Sequence, residues 1–118
     1  MKFVGLLLKE SLSDERVLDL ITILKTENWD ADNASPLQPK VWTAIRFEGE
    51  ENKLNEFVDK LSKSLKPKAW YVTLTLGNKE YVIFPNKIFS YILGVVETKS
   101  KAQDFARSIE VPEDQLGW

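Results

Sequence analysis

The chain contains neither histidine nor cysteine. Histidine titrates near neutral pH without assistance, and cysteine supplies the thiolate nucleophile. Their absence excludes Ser-His-Asp and Cys-His nucleophiles, imidazole or thiolate metal sites, iron–sulfur clusters and disulfides. The remaining chemistry belongs to carboxylates, lysines, tyrosines, hydroxyls and amides, and no cofactor or metal is expected.

An excess of charge is also lacking. Sixteen lysines and arginines against 18 acids leave a formal charge of −2. Non-specific nucleic-acid binding needs a basic field that this balance does not provide. Long hydrophobic runs are missing too, and none approaches the roughly 20 residues that cross a bilayer. Phe3 to Leu8 is shorter than the apolar part of a secretory leader, meets Lys9-Glu10 at once and has no small-residue cleavage site. It reads as a first β-strand, and the expectation is a soluble, cytoplasmic protein without membrane attachment. No Gly/Ser-rich linker or internal repeat interrupts residues 1–118, so a single domain is expected, and 43% hydrophobic residues can supply its core.

The clearest element is a helix from Asn52 to Leu65. Leu54, Phe57, Val58, Leu61 and Leu65 form one apolar stripe, with charged residues opposite and Pro67 as the stop. Each stripe residue contributes roughly 1.5–3 kcal/mol when fully buried. Two strands follow, Trp70 to Leu76 and Lys79 to Phe84, around the hairpin dipeptide Gly77-Asn78. A tight turn there sets Leu74 opposite Tyr81, Val72 opposite Ile83 and Thr73 opposite Val82. Trp70, Val72, Leu74, Tyr81 and Ile83 then share one face, and Tyr71, Thr73, Thr75, Val82 and Phe84 the other. Ile88 to Leu93 reads as a further strand. A closing helix from Lys99 to Ile109 buries Ala102, Phe105, Ala106 and Ile109, with Thr98 or Ser100 as cap. One more turn follows at Glu113 to Leu116, and Trp118 reads as an anchor for the chain end.

The early region admits two readings. Ser13 can cap a helix over Asp14 to Leu20. That helix either continues to Lys25, or the chain becomes extended near Ile21 and runs as a strand to Trp29. The first leaves a long structureless run, Thr26 to Lys40, so the strand is preferred. Val41 to Phe47 returns antiparallel to it. The order strand, helix, strand, strand, helix, strand is the ferredoxin-like, or split βαβ, arrangement: an antiparallel sheet with helices on one face, here with a C-terminal hairpin extension and closing helix.

Such a sheet leaves its other face for solvent, a partner or the extra elements. Alternation places Val41, Thr43, Ile45 and Phe47 toward the helices, and Trp42, Ala44 and Arg46 on the open side. Tyr71 and Thr73 approach that side from another strand. Arg46 beside aromatic faces can hold a carboxylate or phosphate while apolar surface holds the rest of a small anionic or aromatic ligand. The plainer alternative packs Trp42 beneath the last helix and pairs Arg46 with an acid. Trp29 either staples the following loop or stacks on a ligand.

Val41 to Glu48 resembles the base-stacking strand of RNA-recognition domains. Lys40-Val41 replaces the basic-glycine start of that motif, and with the near-neutral charge nucleic acid is not expected as a partner. Lys60, Lys63, Lys66 and Lys68 before Trp70-Tyr71 form a basic-aromatic cluster, which a helix C-terminus explains. Asp30-Ala31-Asp32-Asn33 lacks the glycine and late glutamate of a calcium loop and reads as a polar turn.

A non-catalytic binding or assembly module, with a protein partner or a homodimer on the open sheet face, fits these residues best; its candidate contacts are Trp42, Arg46, Tyr71, Thr73 and Trp29. A cofactor-free enzyme of the dimeric ferredoxin-like barrel type, using Tyr71, Trp42, Arg46 or Glu27, is the alternative. An inhibitor or immunity-type protein is a third.

Overall fold

Every residue from Phe3 to Leu8 except Gly5 is apolar, the composition of a strand covered on both faces, and this segment lies at the middle of the sheet. In the computed structural model, which describes residues 1–30, 40–67, 70–93 and 96–116, β1 (Lys2–Leu8) pairs antiparallel with β3 (Val41–Glu50) and β4 (Val72–Leu76). Outside β3 lies β2 (Thr22–Asp30). Outside β4 lie β5 (Lys79–Phe84) and then β6 (Lys87–Ile92). The six strands form one antiparallel sheet in the order β2-β3-β1-β4-β5-β6. With α1 (Leu54–Ser64) and α2 (Val96–Ser108) they make a small α+β domain.

One face is covered by α1. Its stripe Leu54, Phe57, Val58 and Leu61 is buried against Phe3 and Leu7 of β1, Ile45 and Phe47 of β3, and Val72, Leu74 and Ile83. Phe57 lies 5.4 Å from the rings of both Phe3 and Phe47, an aromatic centre within the distances such pairs favour. Gly49 stands directly across from Phe3, and a Cβ there would enter the Phe3 ring. Ser62 fixes the end of α1 to the β5–β6 turn: its hydroxyl donates to the Phe84 carbonyl at 2.7 Å, and its carbonyl accepts from the Asn86 N–H at 3.1 Å.

The opposite face carries α2. Val82 and Phe84, which alternate with Ile83, pack with Tyr91, Ala102, Ala106, Val111 and Leu116 in a separate buried cluster. The closing helix therefore covers the face that α1 leaves open, at the β5–β6 end of the sheet. The reason is legible along β5: both parities of Tyr81 to Phe84 are apolar, so both sides need cover.

The hairpin register agrees with expectation, with Leu74 opposite Tyr81, Val72 opposite Ile83 and Thr73 opposite Val82. Gly77 has φ +61°, the left-handed conformation its turn requires. The residues from 22 to 30 are extended, as preferred.

Four local expectations change. The segment before β2 is a 3-10 helix, Glu15–Leu20, capped by Asp14, whose carboxylate accepts from the Arg16 N–H; the Ser13 hydroxyl instead donates to the Ser64 carbonyl. The α1 helix ends at Ser64, because Leu65 leaves it to bridge with Leu12. Thr98 and Ser100 fall inside α2, so neither caps it. Trp70 precedes β4, escapes its alternation, and packs on Trp42 instead of beside Val72 and Leu74. The 3-10 turn Glu113–Gln115 matches the expected turn. Lys68, Trp118 and residues 31–33 lie outside the described residues. Among the described residues, no helix is long and apolar enough to cross a membrane.

Candidate functional site

On the side of the sheet away from α1, α2 covers only the end formed by β5 and β6. Cross-strand partners point to the same face, so the register identifies what the rest displays. Val4, Leu6 and Leu8 of β1 stand opposite Glu48, Arg46 and Ala44 of β3. Thr75 and Thr73 of β4 stand opposite Val4 and Leu6.

Of these, Val4, Leu6, Arg46, Thr73 and Thr75 line a trough of about 360 Å³ together with Leu24 and Glu80. Val4 and Leu6 make its apolar floor, Leu24 and Arg46 one wall, and Thr73 and Glu80 the other. Val4 is 45% exposed and Leu24 56%, which is high for apolar side chains on a folded surface. Leu24 reaches the trough because the β2 register shifts between Ile23 and Lys25. A bulge of this kind turns the extra residue out of the alternation.

Charges of opposite sign stand at the two walls. Arg46 Nε lies 3.4 Å from a Glu27 carboxylate oxygen, and Lys25 Nζ lies 3.7 Å from the other. On the far wall the Tyr91 hydroxyl donates to Glu80 at 2.8 Å. Burial raises the Tyr91 phenol well above its ordinary pKa, with the Glu80 hydrogen bond and charge adding to it, so this O–H remains a donor.

The five candidate residues separate into three places. Arg46 and Thr73 line the trough together. Trp42 and Trp70 are buried against each other at 6.4 Å, with Leu8 and Trp29 packed on them. Trp29 stands opposite Trp42 in the β2–β3 ladder and is half-buried, so it serves this cluster at the end of β2. Trp42 is 7% exposed, and its indole N–H has no hydrogen-bond partner among the described residues. It is thus neither displayed on an open face nor packed beneath the last helix: Trp70, Trp29 and Leu8 lie against it. Tyr71 packs with the α2 cluster, and its hydroxyl donates to the Gln115 carbonyl at 2.7 Å.

Tyr71, Trp42 and the Arg46–Glu27 pair therefore do not converge on one point, as acid–base work at a single reacting atom requires. Among the described residues, no group of three or more acids is gathered to hold a metal ion. Sequence reasoning missed Val4, Leu6, Leu24 and Glu80. The signal for the first two was present, because a strand apolar at both parities displays half its side chains on each face.

Comparison with protein-family models, with curated proteins and with solved structures returns no match.

Proposed function

We propose that this protein is a non-catalytic binding module of ferredoxin-like (split βαβ) type, whose partly uncovered sheet face receives an apolar segment of a protein partner. The observation that carries this reading is the trough over β1: exposed Val4 and Leu24 beside Leu6, between Arg46 on one wall and Glu80 on the other. A groove of that composition favours apolar side chains flanked by an acidic group at the Arg46 wall and a basic or hydrogen-bond-donating group at the Glu80 wall.

Support for the topology comes from the run β2-β3-β1-β4, in which every neighbour is antiparallel; β5, β6 and α2 are additions outside it. The crossover between β1 and β2 is made by 3-10 turns rather than an α-helix. A cytoplasmic location belongs to the same proposal.

Peptide selection from a random displayed library, followed by amide chemical-shift mapping of the bound complex, tests this reading. Expected are peptides with an apolar centre whose binding perturbs Val4, Leu6, Thr73 and Glu80, and whose affinity falls about tenfold in Val4→Lys. Peptides that map elsewhere, or that bind Val4→Lys and Thr73→Lys as tightly as the native chain, would overturn it.

A further inference from the structure

Among the described residues the sheet has two free edges, and they differ in length. β6 offers six residues, whereas β2 offers nine, Thr22–Asp30. An edge strand presents unpaired N–H and C=O groups, and proteins commonly blunt it with proline, shortness, lysine or a bulge. β2 contains no proline, and seven of its nine residues are exposed. Its defences are Lys25 and the bulge at Leu24.

The charge pattern of β2 identifies a matching strand. Lys25 and Glu27 stand opposite Arg46 and Ala44, hence on one face, with Thr26 between them on the other. An antiparallel strand related by a two-fold axis normal to the sheet keeps each face on its own side, so the axis must pass beside a residue. At Thr26 it sets Lys25 against Glu27 of the second copy, and Glu27 against Lys25, two opposite-charge pairs on one face. At Glu27 it would oppose two carboxylates. At Asn28 it would oppose Glu27 to Trp29 and pair no charges.

The bulge is compatible with the Thr26 axis. With Leu24 left out of the outer ladder, as it is from the ladder with β3, Ile23 meets Asn28 and Thr22 meets Trp29 of the second copy. Ile23 and Asn28 share the α1 face, because their β3 partners are Phe47 and Thr43. Thr22 and Trp29 share the open face, opposite Glu48 and Trp42.

We propose that two copies of this chain join through β2 about a two-fold axis at Thr26, continuing one antiparallel sheet through both. The edge is separate from the trough floor, so this interface does not require the partner reading above; the two troughs would open on the same side of the joined sheet.

Charge reversal with light scattering or sedimentation equilibrium on the full chain tests the proposal. The native chain is expected to rise with concentration toward twice its 13.6 kDa mass. Lys25→Glu makes an acidic strand and Glu27→Lys a basic one, so each alone opposes like charges twice and dimerises at least about tenfold more weakly. Mixed together they restore both opposite-charge pairs, and a heterodimer of native-like affinity is expected. Thr26→Lys, which sets two ammonium groups beside the axis, gives a monomer with an unchanged circular dichroism spectrum. A native chain that remains at one chain mass up to about millimolar concentration would overturn the proposal, as would a dimer indifferent to these substitutions or variants that fail to recover on mixing. Open-ended polymers would overturn it as well, because they indicate β2 meeting β6 of the next copy.

Discussion

Phe3 faces Gly49 across the β1–β3 ladder, and the Phe3 ring fills the space that a side chain at position 49 would need. Phe3 is fully buried and stacks on Phe57, so the ring cannot yield without moving α1. Gly49→Ala is therefore expected to destabilise the fold by about 1–3 kcal/mol, the usual range for an overfilled core. Chemical denaturation measures it, and an unchanged midpoint would show that the ring moves freely.

Glu10 extends the reach of β1 beyond its last ladder pair. Its carboxylate accepts from the Thr43 N–H at 2.6 Å. Burial pushes this carboxyl up, but the Thr43 N–H and hydroxyl, its own N–H and Lys9 together hold it below the ordinary value. Asp14 is also held low, at about 2, by its hydrogen bonds from Arg16. A carboxyl lowered on folding takes its proton more readily in the unfolded chain. Its contribution is complete above its ordinary pKa and disappears as pH falls through the folded value. Thermal stability is thus expected to decline below about pH 4. Glu10→Gln should show a shallower acid decline, read from melting temperatures across that range.

Tyr91 has the opposite pH signature. Its phenol is raised by burial first and by Glu80 second. A raised acid contributes fully below its unfolded pKa and loses that contribution as pH rises toward the folded one. The native protein should weaken above about pH 10. Tyr91→Phe should cost about 0.5–1.5 kcal/mol at neutral pH through the lost hydrogen bond and weaken less steeply in alkali. Equal alkaline slopes in both chains would remove Tyr91 as the cause.

Arg46→Ala is expected to leave stability within about 1 kcal/mol of the native chain. Its ion pair with Glu27 is 3.4 Å long and both side chains reach solvent. Exposed pairs of this kind contribute little. Urea titration checks it, and a larger loss would mean that Arg46 supports the sheet instead of being free for a ligand.

What the sequence made legible followed from period and turn chemistry. Helix α1 could be read because its stripe has a 3.6-residue period, and the β4–β5 register because Gly77-Asn78 permits only a tight turn. The strand Thr22–Asp30 could be favoured over a helix because the alternative stranded too many residues without structure. The 3-10 helix Glu15–Leu20 was hidden because its local pattern also suits an α-helix. Trp70 was misplaced for another reason, while Trp42 keeps the face that alternation gave it but is buried there by Trp70, Trp29 and Leu8. Alternation assigns a face only inside a ladder, and Trp70 lies before β4 begins. Of the candidate site, the strands supplied Arg46 and Thr73, but the trough also needs Glu80 and the bulged Leu24, and a bulge is not readable from spacing.

β5 contributes Ile83 to the aromatic centre under α1, and Val82 and Phe84 to the cluster under α2. A strand built this way is the keystone of both layers. Detaching α2 would wet one side of β5 and loosen its grip on the other, so neither layer can melt as an independent block. The two halves should accordingly lose structure in a single cooperative step, with ring signals from Phe57 and Phe105 disappearing at the same denaturant concentration.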